Sequence, residues 1–404
     1  MSIASLVAIS GSPYQIGLAH GRKLAPLVRA NLTSFWRALR QGPAAIRIDR
    51  HWLLDKAREE QGLLPARYVD EIAGMAEGSQ LPFADLLAYN LYGDWVFSDG
   101  CTVMMAVGQA GHEGHTLFMK NSDQVGNEDM VGPNFSGHKE VYVIQVIDQE
   151  EGHRIIGVSA AGRTGIKVGA NNKGVAIGSN IARTIELRDR RVDISQVRAS
   201  DRTQLMRQGL EKGTAAEAAH LVSGLLLTNP TSTPGNIEFA DSEEGIVIEG
   251  SYTYQGIEVV HDAVAARANR FQLFEHRNQP EDVSSVCRYQ RCMQLLCSNE
   301  GKLTLEKMTA FSRDHANGPG PNSICRHGDD YHEETSLGAA AIEINGNDPN
   351  QTRLSIALGK PCHAWRADEG HITIHMDTAC EEIPEGLFDG SVWKRFYSEE
   401  ANLP

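Results

Sequence analysis

The stretch FSDGCTVMMA, residues 97–106, sets Gly100 against Cys101, with Thr102 and an apolar run after it. A thiol in that position can attack the carbonyl of the residue before it. The product is a thioester that water cleaves, which leaves the cysteine at a new N-terminus. Gly100 suits this step because it has no Cβ and accepts unusual backbone geometry. The freed α-amine, with an ordinary pKa of about 7.7–8.0, can act near neutral pH as the base for its own thiol. One residue then supplies both nucleophile and base. Gly-Cys-Thr is a common tripeptide, so a plain cysteine at the mouth of a strand is the alternative on these residues alone.

Other residues fit the same chemistry. MKNSDQ closes the next apolar run and puts Asn121 and Asp123 near a strand end. A carboxylate there can hold an α-ammonium group or orient a thiol; a turn-forming Asx residue is the alternative. GVAIGSN puts Asn180 at the edge of another strand, and STPGNIEFAD puts Asn236 at the start of one. Asparagine is a sound oxyanion donor, because its N–H is uncharged and directional.

The remaining reactive residues are less suggestive. The seven cysteines, 101, 287, 292, 297, 325, 362 and 380, are odd in number and dispersed, and no CxxC pair occurs. That argues against a disulfide framework. Cys287, Cys292 and Cys297 lie about 140° apart around a helix and share no face. Cys325 and His327 in SICRHGDD are of metal-binding type but lack partners at ligand spacing, so no metal is expected. His20, in AHG, is expected in packing. No G-x-G-x-x-G joins a strand to a helix and no Walker motif occurs, so no cofactor is expected.

These residues need a frame. The first hundred residues read as mainly helical. Leu18, Leu24, Leu27, Val28, Leu32, Phe35, Trp36 and Leu39 fit a 3.6 period, with a helix start near Pro26. At Cys101 the character changes. CTVMMAV, HTLFMKNSD, EVYVIQVID and RIIGVSAAG read as successive antiparallel strands, with GPNFSGHKE among the turns between them. IKVGANNKGVAIGSN reads as a hairpin and NIEFADSEEGIVIEGS as a strand pair. Residues 201–227, 284–297 and 304–316 read as helices, the first weakened by Gly209 and Gly213. ETSLGAAAIEI, TRLSIALG and HITIHMD close the chain as strands. Strands in runs, then helices, then strands point to α+β with stacked antiparallel sheets.

The chain has 404 residues, 41% hydrophobic and 22% charged, with a formal net charge of -14. No basic block offsets that charge, so no nucleic-acid partner is expected. No stretch reaches the ~18 apolar residues of a membrane span. The apolar run in MSIASLVAISGSPYQ has no basic residue before it and makes a poor secretory signal. The terminal EEANLP does not match the peroxisomal tripeptide. A cytoplasmic location, with neither a membrane nor a nucleic-acid partner, is the expectation.

Taken together, GSPYQIGLAHG, DGCT, KNSD, NNKGVAIGSN, GNIEFAD, DHANGPGPNSICRHGDD and ALGKPC appear in an order that resembles a known family. It is the cysteine N-terminal-nucleophile hydrolases of the isopenicillin N acyltransferase type, with penicillin V acylases and bile salt hydrolases as more distant relatives. The resemblance implies a four-layer αββα sandwich with a helical N-terminal leader. Residues 1–100 would be released by self-cleavage and stay bound to 101–404 as a heterodimer. It implies Cys101 as nucleophile, cut from Gly100, and Asp123 as the carboxylate holding the new amine. Asn236 and Asn180 would be oxyanion contributors. Arg288 would be an arginine beside the nucleophile, with Arg291 its rival. Asn269 and Arg270, in ARANRF, would mark the substrate end of the pocket. Arg270 stands where the family often has histidine, which suggests an anionic ligand. The implied activity is cleavage of a small-molecule amide through a Cys101 thioester. Transfer of the acyl group to an amine, or ligand binding without maturation, are the alternatives.

Overall fold

The structure is a computed structural model that describes residues 3–41, 48–97, 100–125, 140–182, 184, 201–228, 234–274, 282–328 and 334–387. Asp99 beside the junction, most of the GPNFSGHKE turn and the EEANLP terminus lie outside the described residues.

The apolar runs that begin at Cys101 form two sheets. The larger has nine strands in the order β10-β9-β8-β7-β6-β5-β4-β1-β15. These are β1 (Ile3–Gly11), β4 (Tyr142–Gln149), β5 (Ile155–Ala160), β6 (Val168–Asn171), β7 (Ala176–Ile181), β8 (Gly235–Ala240), β9 (Gly245–Gly250), β10 (Gln255–Val260) and β15 (Gly386–Leu387). The smaller has six, in the order β11-β2-β3-β12-β13-β14. They are β2 (Gly100–Ala106), β3 (Thr116–Val125), β11 (Val264–Arg267), β12 (Glu334–Ile344), β13 (Arg353–Ala357) and β14 (His371–His375). Neighbours are antiparallel except β1 and β4, which run parallel.

Alternation along the strands assigns the layers. Val103, Met105 and Phe118 of the smaller sheet meet Leu6, Val146 and Ala240 of the larger in one core. The opposite face of the larger sheet, with Val7, Ile9, Ile177 and Phe239, packs on helices. These are α1 (Pro13–Gln41), α2 (Arg50–Glu60), α3 (Ala66–Ser79), α4 (Phe83–Val96), α5 (Arg202–Gly209) and α6 (Ala215–Thr228). Met104, Met119 and Ala341 on the outer face of the smaller sheet pack under α7 (Val283–Cys297) and α8 (Leu305–Ser312). The layer order is therefore αββα, as the resemblance implies.

The first hundred residues are mainly helical, as expected, but they also carry a strand that was not foreseen: β1 is an inner strand of the nine-stranded sheet. Its residues are buried on both faces, Ile3, Leu6 and Ala8 toward the second sheet and Val7 and Ile9 toward the helices. A strand covered on both sides loses the alternation that marks a strand in sequence. The first helix starts at Pro13, with Pro26 inside it.

Gly17 and Gly21 of GSPYQIGLAHG are explained by packing. A Cβ on Gly17 would stand 1.8 Å from the Glu71 carbonyl oxygen and one on Gly21 2.4 Å from that of Met75, while one on Gly78 of α3 would stand 2.3 Å from that of Leu18. Helices α1 and α3 thus touch backbone to backbone. His20 accepts the Gly162 N–H at Nε2 (3.0 Å), and burial pushes its pKa down to about 4. It packs as a neutral ring.

Buried charges tie the first hundred residues to the rest. Arg163 lies 2.9 Å from Glu140, 3.2 Å from Asp201 and 3.6 Å from Asp94. Arg207 lies 3.8 Å from Glu71. Among the described residues, no helix is long and apolar enough to cross a membrane.

Candidate active site

Strands β2 and β3 set the register of the site: Gly100 pairs with Asp123 and Cys101 with Ser122. Cys101 and Ser122 therefore face the space between the sheets, along with Val103 and Met105, while Gly100 and Asp123 face the α7 layer. Cys101 is 3% exposed. Ser122 Oγ is buried and has no hydrogen-bond partner among the described residues.

The backbone of Cys101 is gripped from both sides. Its N–H donates to Asn269 Oδ1 (3.2 Å), and its carbonyl accepts from Arg288 Nη1 (2.8 Å). Arg288 also donates to Thr102 Oγ1 (2.8 Å) and, from Nη2, to Asn269 Oδ1 (2.9 Å). Asn269 Nδ2 reaches across to the Ile181 carbonyl on β7 (2.9 Å). Helix α7 presents Arg288 because Asp282 caps it, accepting from the Ser285 N–H (3.0 Å). Burial, and then the nearby Arg326, push the Arg288 pKa down. Arg291, its rival in sequence, turns away to Asp314 (2.7 Å). Asn269, expected at the substrate end, is a partner of the Cys101 backbone.

Across the gap, Asn180 and Asn236 pair on neighbouring strands β7 and β8. Asn236 Nδ2 donates to Asn180 Oδ1 (2.8 Å), and lies near the carbonyls of Ala268 (3.1 Å) and Arg270 (3.3 Å). Its two hydrogens are thus occupied. Asn180 Nδ2 is buried and has no partner among the described residues. The free donor belongs to Asn180, and Asn236 orients it. Arg270 contributes its carbonyl to this arrangement.

Asp123 is fully buried. Oδ1 accepts from Ser336 Oγ (2.5 Å) and Oδ2 lies 3.5 Å from Arg326 Nη1. Arg326 also pairs with Glu334. A β-bulge brings Ser336 there: β12 carries one extra residue between Ser336, opposite Asp123, and Gly338, opposite Ser122. The bulge turns Leu337 inward and Ser336 to the Asp123 side. Gly100 is extended, and its smallness has a packing cause. A Cβ there would stand 2.7 Å from Glu334 Oε2 and 2.9 Å from Arg326 Nη1.

Two further groups come together here. Glu238 lies two residues past Asn236 on the same face. Burial pushes its pKa up to about 8, against the pull of Lys120, Arg267 and Arg202. In the outer layer, one donor atom each from His315, Cys325, His327 and Cys362 lie within 4.8 Å of one another. The expectation that Cys325 and His327 lack partners is therefore overturned. His315 comes from the turn after α8, and Cys362 from the helical turn Pro361–Ala364. Arg326, Glu334 and Ser336 were also missed. Only the charged, cysteine-bearing run SICRHGDD hinted at Arg326.

A family model described as acyl-coenzyme A:6-aminopenicillanic acid acyl-transferase matches residues 113–362, more than half of the chain. The chain belongs to this family. The acyl-transferase family match includes Asp123, Asn180, Asn236, Asn269, Arg288 and the His/Cys cluster, and begins after Cys101. An uncharacterized protein of Archaeoglobus fulgidus is 22% identical over 210 residues, 44% of this chain and 32% of that protein. The match thus spans about a third of that relative. Among solved structures, a Caenorhabditis elegans N-acylethanolamine-hydrolyzing acid amidase ortholog is similar at 12% identity and TM-score 0.38, covering 60% of this chain and 92% of that one. A conjugated bile acid hydrolase variant from Clostridium perfringens is similar at 9% identity and TM-score 0.41, covering 72% and 97%. Penicillin V acylase from Agrobacterium tumefaciens is similar at 9% identity and TM-score 0.34, covering 64% and 82%.

Proposed function

We propose that this acyl-transferase family member is a self-processing cysteine amidohydrolase acting on small-molecule amides. The carrying observation is that Asn269 and Arg288 hold Cys101 by its own N–H and carbonyl. Neither contact involves the Gly100 carbonyl, so both survive its attack. In maturation, Cys101 Sγ bonds to the Gly100 carbonyl carbon and the Gly100–Cys101 C–N bond breaks. The departing nitrogen takes a proton and becomes the α-amine. Water then cleaves the C–S bond, giving the Gly100 carboxylate and a free thiol. The new α-amine keeps Asn269 Oδ1 as the acceptor of an N–H, and the buried Asp123 carboxylate, on the neighbouring register pair, favours its ammonium form once it has taken the thiol proton.

Turnover repeats the step on a substrate amide. The α-amine takes the thiol proton and passes it to the leaving nitrogen, while Asn180 Nδ2 donates to the oxyanion. Water releases the acid. The mature protein would consist of residues 1–100 and 101–404, held together as a heterodimer. Intact mass of the purified chain tests this: two fragments split between Gly100 and Cys101 are expected, and a single full-length chain for Cys101→Ala. A cut elsewhere, or cutting in the alanine variant, refutes it. The family description favours a second reading, in which an amine takes the acyl group from the same thioester. Adding an amine acceptor and measuring how the acyl group partitions separates the two.

A further inference from the structure

We infer that His315, Cys325, His327 and Cys362 bind one zinc ion as a closed structural site. Two thiolates and two imidazoles are the donor set that zinc prefers, and four protein ligands leave no open position for catalysis. Tetrahedral zinc, with bonds of about 2.3 Å to sulfur and about 2.0–2.1 Å to nitrogen, sets its donors roughly 3.4–3.8 Å apart. His327 Nε2 already lies 3.5 Å from Cys362 Sγ and 3.9 Å from Cys325 Sγ. The widest pair in the set, at no more than 4.8 Å, needs to close by about 1 Å. His315 Nε2 is buried with no hydrogen-bond partner among the described residues, which a metal would supply.

The surroundings are built to bring the ligands together. Asn121 Nδ2 donates to the carbonyls of Ser312 (2.9 Å) and Ile324 (3.0 Å), joining the segments that carry His315 and Cys325. The Cys325 N–H donates to the Asp314 carbonyl (3.2 Å). Lys360 Nζ lies 3.3 Å from His327 Nδ1. Coordination through Nε2 requires the His327 proton at Nδ1, so Lys360 must turn away; any proton still on the Cys325 and Cys362 sulfurs is released as zinc binds. Between two of the ligands stands Arg326, whose guanidinium meets Asp123 and Glu334. The ion thereby fixes the backbone from which Arg326 reaches the Cys101 site.

The test is metal analysis of the full chain grown with zinc, which needs no assay of activity. About one zinc per chain is expected in the purified protein, falling below about a tenth in His315→Ala and Cys362→Ser. Cys297→Ser, on an exposed cysteine outside the cluster, should keep its zinc. Exchange of zinc for Co(II) should give the strong visible bands of a tetrahedral thiolate site, a readout on the wild-type protein that does not depend on whether a variant folds. Zinc below a tenth of an equivalent with no cobalt bands in the reduced protein overturns the inference. So does a Cys325–Cys362 disulfide in the peptide map, or zinc retained by a Cys325→Ser/Cys362→Ser double variant.

Discussion

Asn180 and Asn236 are joined by one hydrogen bond, yet their loss should read out differently. In Asn180→Ala, Asn236 Nδ2 still has the carbonyls of Ala268 and Arg270 for its two hydrogens. The variant should melt like the parent and lose about 10²–10³ in kcat, the usual cost of one oxyanion donor. Asn236→Ala strands those carbonyls and releases Asn180, so it should lose melting temperature as well as kcat. Scanning calorimetry beside steady-state kinetics checks both; an unchanged kcat in folded Asn180→Ala would remove its assigned role. Glu238 makes a pH prediction. Its unfolded carboxyl ionises near 4.5, whereas the folded one holds its proton to about 8. The stability it contributes is complete below the first value and lost as pH rises through the second. Melting temperatures of the parent should fall relative to Glu238→Gln across that window. Arg270 belongs to this scale too. If it meets an acidic substrate, Arg270→Gln should raise KM for that substrate by about tenfold and leave a neutral analogue alone.

The bulge in β12 shows what an element adds to a residue. Without the extra residue, Ser336 would face the opposite side of the sheet and Asp123 would lose its donor. Ser336→Ala leaves a buried carboxylate one partner short and should cost about 1–3 kcal/mol. Urea unfolding of the Cys101→Ala protein measures this without interference from cleavage. The bulge also shows where sequence stops being informative. Cys101, Asp123, Asn180 and Asn236 could be picked out because each sits at the end of an apolar run, and runs are local. Ser336 in ETSLGAAAIEI looks like any strand serine, since its role depends on register with a strand more than two hundred positions away. The His/Cys cluster was hidden for the same reason, as Cys362 joins His327 only through the packing of two separate turns. Strand β1 escaped because burial on both faces erased its period. Asn269 was noticed, but its partner, the Cys101 N–H, was not.

At the scale of the whole molecule, the junction at Gly100 divides the sequence but not the packing. Asp94 and Glu71 on one side meet Arg163 and Arg207 on the other, and β1 lies between β4 and β15. A chain of residues 101–404 made alone would leave the β4 edge bare, an invitation to pairing between molecules. The proposed cleavage would also change the law that unfolding obeys. An uncut chain unfolds to one species, so its melting temperature does not depend on concentration. A cut one unfolds to two, and β1 must then find β4 by collision. If the purified protein is cut as proposed, mass action should make its melting temperature climb with concentration, while that of Cys101→Ala stays flat. Dilution, harmless to an uncut chain, would act as a denaturant on a cut one.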